Sequence, residues 1–142
     1  MSALSPRLAE IVDALPLEPG LRVLEIGGAP GAAARAVCER IAPGGHILVI
    51  DRSTKGVAQI ERTAAAEIAA GQLSTRCVAA EDFTLLARED PFDLAFAIRV
   101  GAFDGRHPVE GIAARARIRE ALRPGGRLYI DGGAPLRVIL LE

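Results

Sequence analysis

Glu25 stands just ahead of Gly27 and Gly28, with Gly31 close behind, in the run "VLEIGGAPGAAARAV" at 23–37. A carboxylate there attracts a cation and repels a phosphate, and glycines let the backbone approach a ligand closely. A second carboxylate, Asp51, closes "HILVID" at 46–51, and one carboxylate can accept hydrogen bonds from both hydroxyls of a ribose. Glu81 and Asp82 form a third acidic point, and a mixed cluster occupies "RVGAFDGRHP" at 99–108. In that cluster Arg99 can orient an anion, and Asp104 and His107 are candidate general bases. Each group also has a purely structural alternative. The glycines serve a tight turn, Asp51 caps a helix, Glu81 and Asp82 begin a short helix over 83–87, and 99–108 is a solvated loop.

An alternation of strands and helices must position these residues. The opening segment, 3–15, carries Leu4, Leu8, Ile11, Val12 and Leu15 on one helical stripe and ends at Pro16 and Pro19-Gly20. Residues 21–26 predict a buried strand, and 31–42 a helix stopped by Pro43-Gly44-Gly45. Residues 46–51 predict a second strand, and 54–70 a helix ended by Gly71. A third strand is expected over 73–79 and a fourth over 92–98, after the turn residues Asp90-Pro91. A helix over 108–122 then stops at Pro124-Gly125-Gly126, ahead of a fifth strand over 127–132.

Near-continuous apolar strands separated by helices imply a parallel sheet covered on both faces. Right-handed crossovers make it an α/β, doubly wound, mostly parallel Rossmann-like sheet of five parallel strands, in a single domain over 1–142. The apolar run "LRVILLE" at 136–142 predicts a sixth strand, turned back antiparallel on the fifth by Gly132-Gly133-Ala134-Pro135.

In such a sheet ligands sit beyond the carboxyl ends of the strands, where the strand order reverses. The glycine turn after the first strand and Asp51 after the second both fall there, which fits an adenosine-containing cofactor. A dinucleotide fingerprint requires GxGxxG, but the register from Gly27 gives Gly27, Ala29 and Ala32. Glu25 would repel a pyrophosphate and attract an ammonium or sulfonium. Those cations and an adenosine together describe S-adenosylmethionine.

At these residues the chain resembles the class I S-adenosylmethionine-dependent methyltransferases, a small member with a shortened C-terminus. The family's first motif, E/D-x-G-x-G-x-G, is met by Glu25, Gly27 and Gly31, with Gly28 inside it and Ala29 at the place of the middle glycine. The resemblance implies that Asp51 takes the ribose, with Arg52 following it, and that Glu81 and Asp82 lie near the adenine amino group. Arg99 sits where amino-methylating members often carry Asn or Asp. "FDLAFAI" and "LRPGGRLYI" resemble the fourth strand and the turn into the fifth, so the likeness runs over roughly 20–132. It implies S-adenosyl-L-methionine as cofactor, S-adenosyl-L-homocysteine as product and a small-molecule acceptor.

Several chemistries are set aside. No (D/N)PP(Y/F) follows the fourth strand, no Pro-Cys occurs, and one lysine, Lys55, cannot supply a Lys-Asp-Lys-Glu tetrad. No Tyr-x-x-x-Lys is available for a nicotinamide oxidoreductase. The net charge of −1 gives no field for nucleic acid. Cys38 and Cys77 have no metal-ligand spacing, so no metal is expected, and both read as small buried thiols of a cytoplasmic protein. No segment has the run of about 18 apolar residues that a membrane span needs. Only about ten residues follow the fifth strand. A non-catalytic cofactor-binding or interaction module is therefore the alternative, and a homodimer through the C-terminal segment is expected.

Overall fold

The computed structural model describes residues 4–141. Ser5 opens the first helix, α1 (Pro6–Ala14), accepting the Leu8 N–H on its hydroxyl at 3.2 Å with Pro6 in the first turn. The expected start at residue 3, like the final Glu142, lies outside the described residues. Next come β1 (Arg22–Ile26), α2 (Ala32–Ile41) and β2 (His46–Asp51). These bounds match the expected ones within a residue, because Gly and Pro punctuate both sides of each element.

The helix expected over 54–70 is two helices, α3 (Thr54–Thr63) and α4 (Ala65–Ala69). Between them the fully buried Ala64 leaves helical geometry, at φ −107° and ψ 26°, while its N–H stays bonded to the Ile60 carbonyl. A buried alanine pressed on the core carries no sequence signal for a kink. After β3 (Leu73–Cys77), a short 3-10 turn, Ala80–Asp82, contains Glu81 and Asp82. The chain beyond it has no regular structure before a turn at 87–88, so no helix forms over 83–87.

β4 (Phe92–Ala97) is followed by a single turn, α5 (Gly101–Asp104), and by α6 (Pro108–Ala121). Pro124-Gly125-Gly126 does not separate α6 from the last parallel strand as expected. β5 (Leu122–Asp131) begins before it: Leu122 pairs with Phe92, Arg127 pairs with Leu94, and the four residues between bulge out. β6 (Leu136–Ile139) runs antiparallel beside β5, with Leu128 opposite Ile139 and Asp131 opposite Leu136.

The sheet order is β3-β2-β1-β4-β5-β6, and all pairs but the last are parallel. Successive strand residues feed two cores. Val23, Ile47, Val49 and Phe96 pack with α1, α2 and α3 on one face. Leu24, Leu48, Ile50 and Ala95 pack with Phe103, Ala114 and Ile118 on the other. The order reverses between β1 and β4, so the turns leaving these two strands face each other across a crevice. Among the described residues no helix is long and apolar enough to cross a membrane.

Candidate active site

Two cavities meet at that crevice, and among the described residues only Gly27 and Arg99 line both. The first, ≈ 240 Å³, is bounded by Asp51 and Arg52 after β2, by 78–81 after β3 and by 99–102 after β4. The second, ≈ 390 Å³, lies between Glu25 to Pro30, the first turn of α2 and the start of α1.

Glu25 is held on the central strand between Val49 and Phe96 and is only 3% exposed. Its Oε1 is buried without a hydrogen-bond partner, and the residue lines the second cavity. Burial first, then the nearby Asp51 charge, push its carboxyl up to about 8. An unpartnered buried carboxylate oxygen costs stability in the free protein and is what a bound cation would satisfy.

The glycines have separate causes. Gly27 (φ +72°) and Gly31 (φ +107°, the N-cap of α2) take left-handed backbone geometry. Gly28 is different. A β-carbon on it would collide with the Val49 side chain and stand 2.8 Å from Glu25 Cδ. Its absence is demanded by the protein's own packing around Glu25. Ala29, exposed at the rim of the second cavity, donates its N–H to Asp51 Oδ2 at 3.4 Å.

Asp51 ends β2 half-buried, and its Oδ1 accepts the Ser53 N–H at 2.9 Å. It does not cap α3, because Ser53 is the N-cap and takes the Gly56 N–H at 3.1 Å. Glu81 lines the first cavity; Asp82, its exposed neighbour on the 3-10 turn, is not among the lining residues. The tight turn points these successive side chains apart.

In the post-β4 segment, His107 packs its ring on Gly101 at the cavity edge, with Nδ1 3.7 Å from Glu110 Oε2. Asp104 does not line either cavity, so its expected role as a base is not matched by its position. Its carboxylate takes Arg106 Nε at 2.9 Å on each oxygen and Nη2 at 2.8 Å. Those hydrogen bonds hold it below the usual carboxylate range.

Among the lining or bracing residues that gave no sequence signal are Ser5, Arg7 and Asp131. Ser5, the N-cap of α1, and Arg7 within that helix line the second cavity, and Arg7 Nη2 lies 3.1 Å from Asp131 Oδ2 at the end of β5. Asp131 Oδ1 accepts the Arg99 N–H at 3.0 Å. Cys38 is buried as expected, which pushes its thiol up to about 11. Cys77 is exposed, against expectation, because it is the last residue of β3, where the apolar run leaves the core. Among the described residues no cluster of His, Cys, Asp or Glu could hold a metal ion.

Fold and crevice together are those of a doubly wound α/β domain with its cavities at the β1–β4 switch point. A family model described as a methyltransferase domain matches residues 23–126. The chain belongs to that family. It is 27% identical over 128 residues to a protein-L-isoaspartate O-methyltransferase of Methanothrix thermoacetophila, covering 89% of this chain and 54% of that protein. It is 32% identical over 129 residues to the nocamycin O-methyltransferase of Saccharothrix syringae, covering 91% of this chain and 42% of that one. Among solved structures it resembles a SAM-dependent methyltransferase from Thiobacillus denitrificans in complex with S-adenosyl-L-homocysteine. The TM-score is 0.68 at 25% identity, over 89% of this chain and 48% of that one. The chain thus spans about half the length of the relatives it matches.

Proposed function

We propose that this chain binds S-adenosylmethionine across the two cavities and transfers its methyl group to a small-molecule acceptor. The buried Glu25 with its unpartnered Oε1 carries the reading, since a carboxyl group so placed gains by ionising beside a cation and gains nothing beside a phosphate. When bound, the cofactor supplies a methyl group made transferable by a positively charged sulfur.

The chain's own residues do the holding. Glu25 faces the aminoacyl end, with Gly27, Gly28 and Ala29 forming the wall beside it. Asp51 takes the ribose hydroxyls, and Arg52 flanks the same cavity. Glu81 accepts from the adenine amino group, while Ile50, Val78 and Ala80 offer apolar surface to the ring. His107, at the edge of the first cavity, is a side chain able to take a proton from an acceptor that must lose one.

Calorimetric titration tests this reading. S-adenosylhomocysteine should bind and NADH should not; tighter binding of NADH would overturn the assignment. We also infer that the β6 edge pairs with a second copy of the chain. Val138 and Leu140, 42% and 82% exposed on and beside that edge strand, support this.

A further inference from the structure

Arg99 is held by its backbone and left free at its side chain. It follows β4 with φ +58°, a conformation that residues other than glycine seldom adopt. Two side chains fix it there from different elements. Asp131 Oδ1 accepts its N–H at 3.0 Å, and Arg106 Nη2 donates to its carbonyl at 2.8 Å. Asp131 is paired in turn with Arg7, and Arg106 with Asp104. All four of these charges are engaged in the brace. The Arg99 guanidinium is not: among the described residues no carboxylate lies within ion-pair distance of it. Backbone strain maintained by a dedicated brace marks a position where the side chain's placement matters.

That placement is the ridge between the cavities, which Arg99 shares only with Gly27. On the cofactor reading above, on which this inference rests, a cofactor spanning both cavities would carry its sulfonium past the same two residues. A guanidinium kept in that neighbourhood by its braced backbone is disfavoured beside a sulfonium unless an anion comes between them.

We propose that Arg99 binds the acceptor, and that the acceptor is a small carboxylic acid taken up as its carboxylate. A guanidinium presents two parallel N–H donors that match the two oxygens of a carboxylate, which a lysine would not. The chemistry also closes without a base. The carboxylate oxygen forms the new bond to the methyl carbon with its own lone pair, and the carbon–sulfur bonding pair stays on sulfur. The two opposite charges cancel, and no proton has to leave. This accords with the post-β4 segment spending its carboxylate, Asp104, on bracing Arg106 rather than presenting it to the cavity.

The test uses the full chain saturated with S-adenosylhomocysteine and a panel of small monocarboxylic acids, each matched by its primary amide, read by ligand-observed NMR. At least one acid should bind about tenfold or more tightly than its amide, the scale of a charge-assisted bidentate contact. Arg99→Gln should abolish that preference and Arg99→Lys should keep part of it, with thermal melting confirming that both variants fold. A panel in which acids bind no better than amides overturns the proposal, as does an Arg99→Gln protein that keeps the preference. Failure of the unaltered chain to bind S-adenosylhomocysteine removes the cofactor reading and this inference with it. Binding of S-adenosylhomocysteine with no preference for acids removes the inference alone.

Discussion

The carboxyl carbon of Glu25 lies 2.8 Å from where a β-carbon on Gly28 would stand. The most ligand-like pair in the sequence is therefore also a packing pair, and Gly28 exists in part to leave Glu25 room. Gly28→Ala should cost about 1–3 kcal/mol, the usual penalty for overfilling a tight site. Val49 on the neighbouring strand blocks the other way out. Chemical denaturation of the variant measures the cost. A Gly28→Ala protein as stable as the parent would show that Glu25 can move aside freely.

Glu25 also sets a pH dependence. Its carboxyl titrates at about 8 when folded, against 4.5 in the unfolded chain, chiefly through burial and secondly through Asp51. Between those values the folded protein keeps a proton that the unfolded chain has lost. This contribution to stability is therefore complete below about pH 4.5 and is lost as pH rises through about 8. Melting temperatures of the parent should fall relative to Glu25→Gln across that window. Parallel profiles for the two proteins would refute the titration. A bound ammonium favours the ionised carboxylate, so S-adenosylhomocysteine affinity should rise towards pH 8, by up to about tenfold per unit.

Asp51→Ala should weaken S-adenosylhomocysteine binding by about 1.5–3 kcal/mol, the range for hydrogen bonds to a charged group. Asp51→Asn, which keeps the shape, separates charge from the loss of the contacts to Ala29 and Ser53. Calorimetric titration giving equal affinities for the parent and Asp51→Ala would remove Asp51 from the ribose site.

Strand patterning made most of this fold legible, because buried parallel strands are short apolar runs with Gly and Pro between them. β2 falls at its expected bounds, and Asp51 emerges at the crevice because the strand ends there. Motif spacing brought Glu25, Gly27, Asp51 and Glu81 to one crevice in advance. What escaped depends on tertiary neighbours. The bulge around Pro124-Gly125-Gly126 exists only because Leu122 has already joined Phe92. Asp104 faces Arg106 rather than the cavity, and no local pattern reveals that choice. Arg7 and Asp131 lie 124 positions apart in the chain, so their meeting belongs to the folded topology alone.

Asp131 should matter for stability more than its partner Arg7. Its side chain is 13% exposed and serves the Arg99 N–H as well as Arg7, whereas the Arg7 side chain is 56% exposed. Asp131→Ala should cost about 1 kcal/mol by removing a charge-assisted hydrogen bond to the Arg99 N–H along with the Arg7 pair. Arg7→Ala should cost about 0.5 kcal/mol or less, as for exposed ion pairs. Denaturant midpoints at equal slope decide the matter; equal costs for the two variants would mean that the Arg99 contact contributes nothing.

The β6 edge gives the last expected outcome. Ile139 faces the core at 7% exposure and anchors the strand, so its neighbour Val138, at 42%, can be changed without unseating β6. A lysine on an edge strand discourages strand addition by another chain. Light scattering should therefore find the parent as a dimer and Val138→Lys as a monomer, with the same melting behaviour below the dimer's dissociation range. A parent that stays monomeric at high concentration removes the pairing. A Val138→Lys protein that still dimerises moves the contact to another face, since backbone pairing along β6 would bring that charge against the second strand.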